Sequence, residues 1–172
     1  MINLGYFGAK LLYLLRGRNC EIINNYFRKK GVLIGRNTHI FSDISRAECF
    51  LIQIGDNVTI SNNVALITHD SSVSKYLPDK TDIFGKIIIG NNCFIGMNAI
   101  ILPGVSIADN VIVAAGSVVT RSICESNVVY GGNPAKRIST FERLAQKNSN
   151  NAINLVQVEN IKDIINMSLI NR

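Results

Sequence analysis

The chain of 172 residues predicts an all-β repeat fold, a three-sided parallel solenoid, and three observations carry that expectation. An aliphatic residue recurs every sixth position at Ile89, Ile95, Ile101, Ile107, Val113 and Val119, again at Ile54, Ile60 and Leu66, and at Ile34 and Ile40. In many units the next residue is small (Gly35, Gly55, Gly90, Gly96, Ala108, Ala114) and the residue four positions on is compact (Val58, Val64, Cys93, Ala99, Val105, Val111, Ser117). Units such as IGDNVT and IGNNCF place Gly, Asn or Asp at or beside the bend, where positive φ is tolerated. Six is a multiple of the strand period of two, so each aliphatic points to the same side of successive short strands. The helical set i, i+3, i+4, i+7 is missing from 89–124. A chain that runs straight, bends and always turns one aliphatic inward wraps around an axis. Three units close a triangular turn, and stacked turns pair strand upon strand.

Residues 1–31 form an N-terminal helical segment on this reading. Its first helical run, about 3–16, carries the apolar stripe Phe7, Leu11, Leu14 and Leu15 and ends near Gly17; Gly31 precedes the first coil. The solenoid domain occupies 32–138. Coil one, about 32–53, is imperfect, because Ile34 and Ile54 are twenty residues apart, two more than three units. Coil two begins at Ile54 and is interrupted by SVSKYLPDKTDIFGK (72–86), a polar loop with Pro78 and Gly85 that must leave the prism, since a buried loop strands its backbone polar groups. Coils three and four fill 89–106 and 107–124 in phase, and a partial fifth runs to about 138. Within 139–172, residues 139–147 are expected to form a short helix, KNSNNAINL a linker, and Ile161, Ile164, Ile165 and Leu169 an amphipathic segment that can dock as a helix or stay mobile.

With 47% hydrophobic residues the chain can build a core for one domain. The net charge of +6 is unevenly placed: Lys10, Arg16, Arg18, Arg28, Lys29 and Lys30 face a single acid, Glu21, in residues 1–31, whereas the solenoid balances. Nucleic acid is a poor partner for this charge, because no zinc spacing, RNA-binding signature or aromatic platform accompanies it. A solvated helix face, or peripheral contact with an anionic membrane surface or an acidic sugar, accounts for it. Cys20, Cys49, Cys93 and Cys124 make no C-x-x-C pair and no disulfide framework, which suits a reducing cytoplasm. Leu4–Leu15 is interrupted by Lys10, is too short to span a bilayer and lacks an A-x-A-like cleavage site, so neither a signal peptide nor a transmembrane segment is expected.

The chain has two histidines. His69 closes SNNVALITHD at the lip of the excluded loop; an imidazole titrates near neutrality and suits removal of a proton from an acceptor hydroxyl. His39 lies in the imperfect coil with no partner legible in sequence and reads as a solvated edge residue. Asp70 follows His69, but successive side chains on an extended segment diverge, so it does not orient the ring; it is a turn residue or a ligand for an acceptor hydroxyl. Asp43 is a second candidate for that hydroxyl. No metal site is expected. Farther on, NVIVAAGSVVTRSICESNVVYGGNPAKRI offers a shallow wall at Ala114, Ala115 and Gly116, a turn at Gly131, Gly132 and Pro134, and charge for phosphates at Lys136 and Arg137.

The in-phase hexads, the histidine after a third unit and the AAGS…GGNPAKRI run together resemble the hexapeptide-repeat acyltransferases, in particular sugar O-acetyltransferases such as galactoside and maltose acetyltransferases, over about residues 32–138. The resemblance implies a left-handed parallel β-helix, a hand that spacing could not supply because crossovers are generally right-handed. It also implies acetyl-CoA as co-substrate, His69 as general base, and a homotrimer with clefts between neighbouring prisms. Carried over by residue, Phe94 takes the place of an aromatic beside the cofactor, Gly96 and Met97 back the thioester with the Met97 N–H as oxyanion donor, and Ala115 and Thr120 match backbone contacts to the pantetheine and the adenine end. Lys136 stands where arginine is common, with Arg137 beside it. The pattern departs at Leu102, which replaces the usual Gly, in the N-terminal helices, and before Ile54, where the acceptor residues of galactoside acetyltransferases are not recognisable.

The resulting expectation is an acetyl-CoA-dependent O-acetyltransferase acting by direct attack on a sugar hydroxyl, in surface polysaccharide or glycan biosynthesis. An N-acetyltransferase for a nucleotide-linked amino sugar is the nearest alternative, though that branch usually carries a nucleotide-binding domain ahead of the prism. A non-catalytic β-helix scaffold is the alternative from another class. The γ-type carbonic anhydrases, which share the β-helix, need three histidines on zinc.

Overall fold

Each hexad becomes a strand of two to four residues followed by a bend, and the coil strands stack in parallel into three sheets. The computed structural model describes residues 4–44, 48–154 and Ile165. Sheet one contains Leu33–Ile34, Ile52–Ile54, Ile87–Ile89 and Ser106–Ile107. Sheet two contains His39–Ile40, Thr59–Ile60, Phe94–Ile95, Val111–Val113, Val128–Gly131 and a strand beginning at Lys136; sheet three contains Ala65–Leu66, Ile100–Ile101 and Val118–Val119. From residue 87 to 119 the chain visits the three sheets in turn, twice, which is the winding that the six-residue period requires.

Register stacks the aliphatics. Ile54 pairs with Ile89 and Ile89 with Ile107; Ile60 pairs with Ile95 and Ile95 with Val113; Leu66 pairs with Ile101 and Ile101 with Val119. Ile95, Ile101 and Val113 are wholly buried, and the compact positions Val58, Ala99, Val111 and Ser117 fill the corners between them. Burial of each large aliphatic contributes about 1.5–3 kcal/mol, so the ladder is the main source of cohesion.

Asparagine, rather than the glycine after the aliphatic, takes up the positive φ. Asn57, Asn63, Asn92, Asn98 and Asn110 lie at φ between +53 and +59°. Gly96 answers a different demand, since a Cβ there would stand 2.5 Å from the Ala115 nitrogen of the next coil. The asparagines also pair between coils, Asn57 Nδ2 donating to Asn92 at 2.8 Å and Asn92 Nδ2 to Asn110 at 2.7 Å.

The eighteen-residue phase ends after Val119. Ile107 bridges Ile123, two residues earlier than strict phase would place its partner, and Val111 pairs with Val128. Strict phase would bring Glu125 inside; the slip buries Ile123 and leaves Glu125 exposed.

The loop expected over 72–86 leaves the solenoid but is built. His69–Asp70 pairs antiparallel with Ile83–Phe84, Ser71–Lys75 makes a 3₁₀ turn that buries Val73, and the Gly85 N–H donates to the Thr68 carbonyl at 2.8 Å.

Ahead of the coils, helix α1 (Leu4–Leu15) and helix α2 (Cys20–Lys29) are separated by Gly17 and Arg18, both at positive φ. The Asn19 side chain caps α2 by accepting from the Glu21 N–H at 3.0 Å, and Phe27 is fully buried. Helix α1 packs inward through Tyr6, Ala9 and Tyr13, so the Phe7, Leu11, Leu14, Leu15 stripe faces away from the core.

The contacts divide the chain into two units, Met1–Ile138 and Ser139–Arg172. The second contains helix α3 (Phe141–Asn148), capped by Thr140 Oγ1, which accepts from the Arg143 N–H at 3.3 Å. The amphipathic segment at 161–169 lies outside the described residues except for Ile165. Among the described residues no helix is long and apolar enough to cross a membrane.

Candidate active site

The candidate site lies where coil one departs from the six-residue step. Among the described residues no strand fills the third side of that coil, so the Ala65–Leu66 strand opens onto a cleft. The cleft has a volume of about 450 Å³ and is lined by residues 42–44 and 63–69. Ser42 closes part of the bared strand edge: its buried hydroxyl donates to the Ser61 carbonyl at 2.5 Å and accepts from the Val64 N–H at 2.8 Å.

His69 stands at one end of the cleft, leaning on Phe84 with ring centroids 5.9 Å apart. Its Nδ1 lies 3.1 Å from Glu48 Oε2. The Thr68 hydroxyl, 1% exposed, donates to the same Glu48 oxygen and accepts from the Glu48 backbone N–H at 3.0 Å. The Thr68 hydroxyl first, and His69 after it, hold the Glu48 carboxyl below the usual carboxylate range. An ionised carboxylate only accepts, so Nδ1 carries the proton and the Nε2 lone pair is left for a substrate. This arrangement can remove a proton from a bound hydroxyl.

Glu48 and Thr68 were not singled out from the sequence. The available signal was the coil-one offset: Ile34 pairs with Ile54 and His39 with Thr59, twenty residues on, and the same step takes Glu48 to Thr68.

Of the predicted acceptor residues, Asp43 shares the cleft with His69. Burial and, next, the Asp43 charge push the Tyr6 hydroxyl of α1 up to about 12. Asp70 points into solvent and accepts from the Ser72 N–H at 2.8 Å, capping the 3₁₀ turn. The His39 ring stacks on Phe41 at 6.3 Å and does not line the cleft.

Of the predicted cofactor residues, Gly96, Met97 and Ala115 stack at another corner, after sheet two, whereas Thr120 follows sheet three. The Gly96 N–H donates to the Val113 carbonyl, the Gly116 N–H to the Met97 carbonyl and the Val118 N–H to the Gly132 carbonyl, at 2.8–2.9 Å, which stacks Gly96–Met97, Ala114–Gly116 and Gly131–Gly132 on successive coils. Phe94 and Met97 project from it, roughly half exposed, and open space lies where Gly116 would carry a Cβ. A backbone wall flanked by exposed apolar side chains fits a slender pantetheine arm. Thr120, Lys136 and Arg137 are exposed, and Arg137 pairs with Glu125 at 3.0 Å. The wall follows sheet two whereas His69 follows the Ala65–Leu66 strand of sheet three, so within one chain they stand at different corners of the solenoid.

The family model "Hexapeptide repeat of succinyl-transferase" matches residues 45–67 and 86–121. The chain is 45% identical to Protein CapG of Staphylococcus aureus over 150 residues, covering 83% of this chain and 84% of that protein. It is 39% identical to the galactoside O-acetyltransferase of Escherichia coli (strain K12) over 61% of this chain, and spans 52% of that protein. Among solved structures, the hexapeptide-repeat-containing acetyltransferase VCA0836 of Vibrio cholerae O1 biovar eltor, complexed with acetyl coenzyme A, superposes with a TM-score of 0.58 at 29% identity, covering 64% of this chain and 61% of that one.

Proposed function

The chain belongs to the hexapeptide-repeat acyltransferases, and from that membership we propose that it is an acetyl-CoA-dependent O-acetyltransferase acting on a sugar hydroxyl, in surface polysaccharide or glycan biosynthesis. The observation that carries the reading is the carboxylate-backed imidazole at the end of the cleft. The acceptor sugar lies in the cleft, with Asp43, and Asp70 at its lip, as ligands for its hydroxyls. His69 Nε2 takes the proton of the reacting hydroxyl as its oxygen attacks the thioester carbonyl. The new C–O bond forms, the C–S bond breaks, and the imidazolium returns its proton to the departing thiolate.

The Gly96–Met97 and Ala115 wall holds the pantetheine arm, Phe94 lies beside it, Thr120 meets the adenine end, the Met97 N–H meets the developing oxyanion, and Lys136 and Arg137 meet the phosphates. Because one chain separates this wall from His69, the site is completed between prisms of a homotrimer of left-handed β-helices. The likeness to a galactoside O-acetyltransferase supports a sugar acceptor, and the four unpaired thiols suit the cytoplasm.

The test is thiol release from acetyl-CoA with candidate sugar acceptors. His69→Ala lowers turnover by roughly 10²–10⁴-fold while acetyl-CoA still binds. Unchanged turnover in that variant sinks the reading.

A further inference from the structure

Helix α1 carries an outward face without a polar side chain. With about 100° between successive residues, Tyr6, Ala9 and Tyr13 fall in one narrow sector, and they are the residues of α1 that pack against the core. The opposite sector, roughly 120° wide, is Leu4, Phe7, Gly8, Leu11, Leu14 and Leu15. Its large side chains are 50–80% exposed. A surface helix ordinarily reverses this pattern, with the apolar stripe on the core and polar residues in water.

Cations flank the face. Lys10 lies on α1, Arg16 and Arg18 follow its C-terminal end, and Lys29 and Lys30 end α2. The one acid in the first 31 residues, Glu21, is held by Arg28 at 2.7 Å. A second copy docked face to face would bring these cations together with no further carboxylate from this segment between them, which disfavours self-association. A surface of phosphate headgroups over acyl chains answers both features. The helix has twelve residues, about 18 Å, well short of the roughly 30 Å hydrocarbon core, so it lies in the interface and does not cross it.

We propose that α1 is a membrane-docking helix, seating Leu4, Phe7, Leu11 and Leu15 at the acyl boundary of an anionic bilayer with Lys10, Arg16 and Arg18 on the headgroups. The proposal does not rest on the acetyltransferase reading.

The experiment is cosedimentation of the full chain with vesicles of phosphatidylcholine containing about 30% phosphatidylglycerol, and with phosphatidylcholine alone. The native chain binds the anionic vesicles at least about tenfold more tightly, and raising the salt weakens that binding. The double variant L11E/L15E loses at least about tenfold in affinity with an unchanged circular-dichroism melt. K10E/R16E, which leaves the apolar face intact, loses the preference for anionic lipid. Failure of the native chain to bind anionic vesicles overturns the proposal, as does undiminished binding by L11E/L15E. So does a native oligomer that L11E/L15E dissolves, since a second copy would then cover the face.

Discussion

Glu48 and His69 sit 3.1 Å apart, oxygen to Nδ1, although they come from different coils, one in the aperiodic part of coil one and the other at the exit of coil two. The pairing fixes which nitrogen of the ring faces the cleft with a lone pair. Glu48 does not line the cleft; under the proposed function it positions and polarises His69, and Thr68 positions Glu48.

Glu48→Gln therefore lowers kcat by about 10–100-fold with little change in the KM for acetyl-CoA, because the amide can donate toward Nδ1 and favour the wrong tautomer. Steady-state kinetics with acetyl-CoA varied at saturating acceptor separate the two constants. Equal loss in kcat and gain in KM would place Glu48 in cofactor binding instead.

The same carboxylate makes stability depend on pH. Its folded pKa lies below the ordinary 4.5, so its contribution is fully present above that unfolded value and is lost as pH falls through the lower folded one. Thermal melts from pH 7 down to about pH 3 show a steeper loss of Tm for the native protein than for Glu48→Gln, which has no proton to gain. Parallel curves would show that the hydrogen bonds to Glu48 carry no linkage.

Thr68→Val removes a buried hydroxyl that both donates and accepts. The change costs about 1–3 kcal/mol, because the Glu48 N–H loses its partner in a dry setting, and it also lowers kcat by loosening Glu48. Urea unfolding measures the first effect. A neutral substitution would mean that water replaces the hydroxyl.

Gly96→Ala tests the corner assigned to the cofactor. The added Cβ would stand 2.5 Å from backbone, so the coils must part, at a cost of about 1–3 kcal/mol. Gly116→Ala meets open space but sits at φ +70°, so its cost comes from backbone strain of about 1 kcal/mol. A larger loss of stability at 116 than at 96 would contradict the stacking described.

Lys136→Ala and Arg137→Ala raise the KM for acetyl-CoA, by about 3–30-fold, and leave kcat nearly unchanged, because a phosphate clamp holds ground and transition states alike. Lys136 gives the larger effect, since Arg137 already shares its charge with Glu125. A fall in kcat alone would place them at the reacting centre.

The period determined that the chain coils, though not the hand of the coil. A side-chain alternation of two, a step of six and a small residue after many of the aliphatics leave a chain little choice but to wind, so Ile89, Ile95, Ile101, Ile107, Val113 and Val119 could be placed inside from their spacing. His69 was legible because it falls where the step stops. Glu48 was not, because its partner lies a coil away and that coil is two residues out of phase, so only the pairing of Ile34 with Ile54 sets the offset. The slip that buries Ile123 in place of a charge, the hairpin that seats His69 against Phe84, and the outward turn of the α1 stripe were decided by packing. Local pattern fixes which residues are apolar and how often. Which neighbour each one meets depends on contacts between distant segments, and that choice belongs to the tertiary structure.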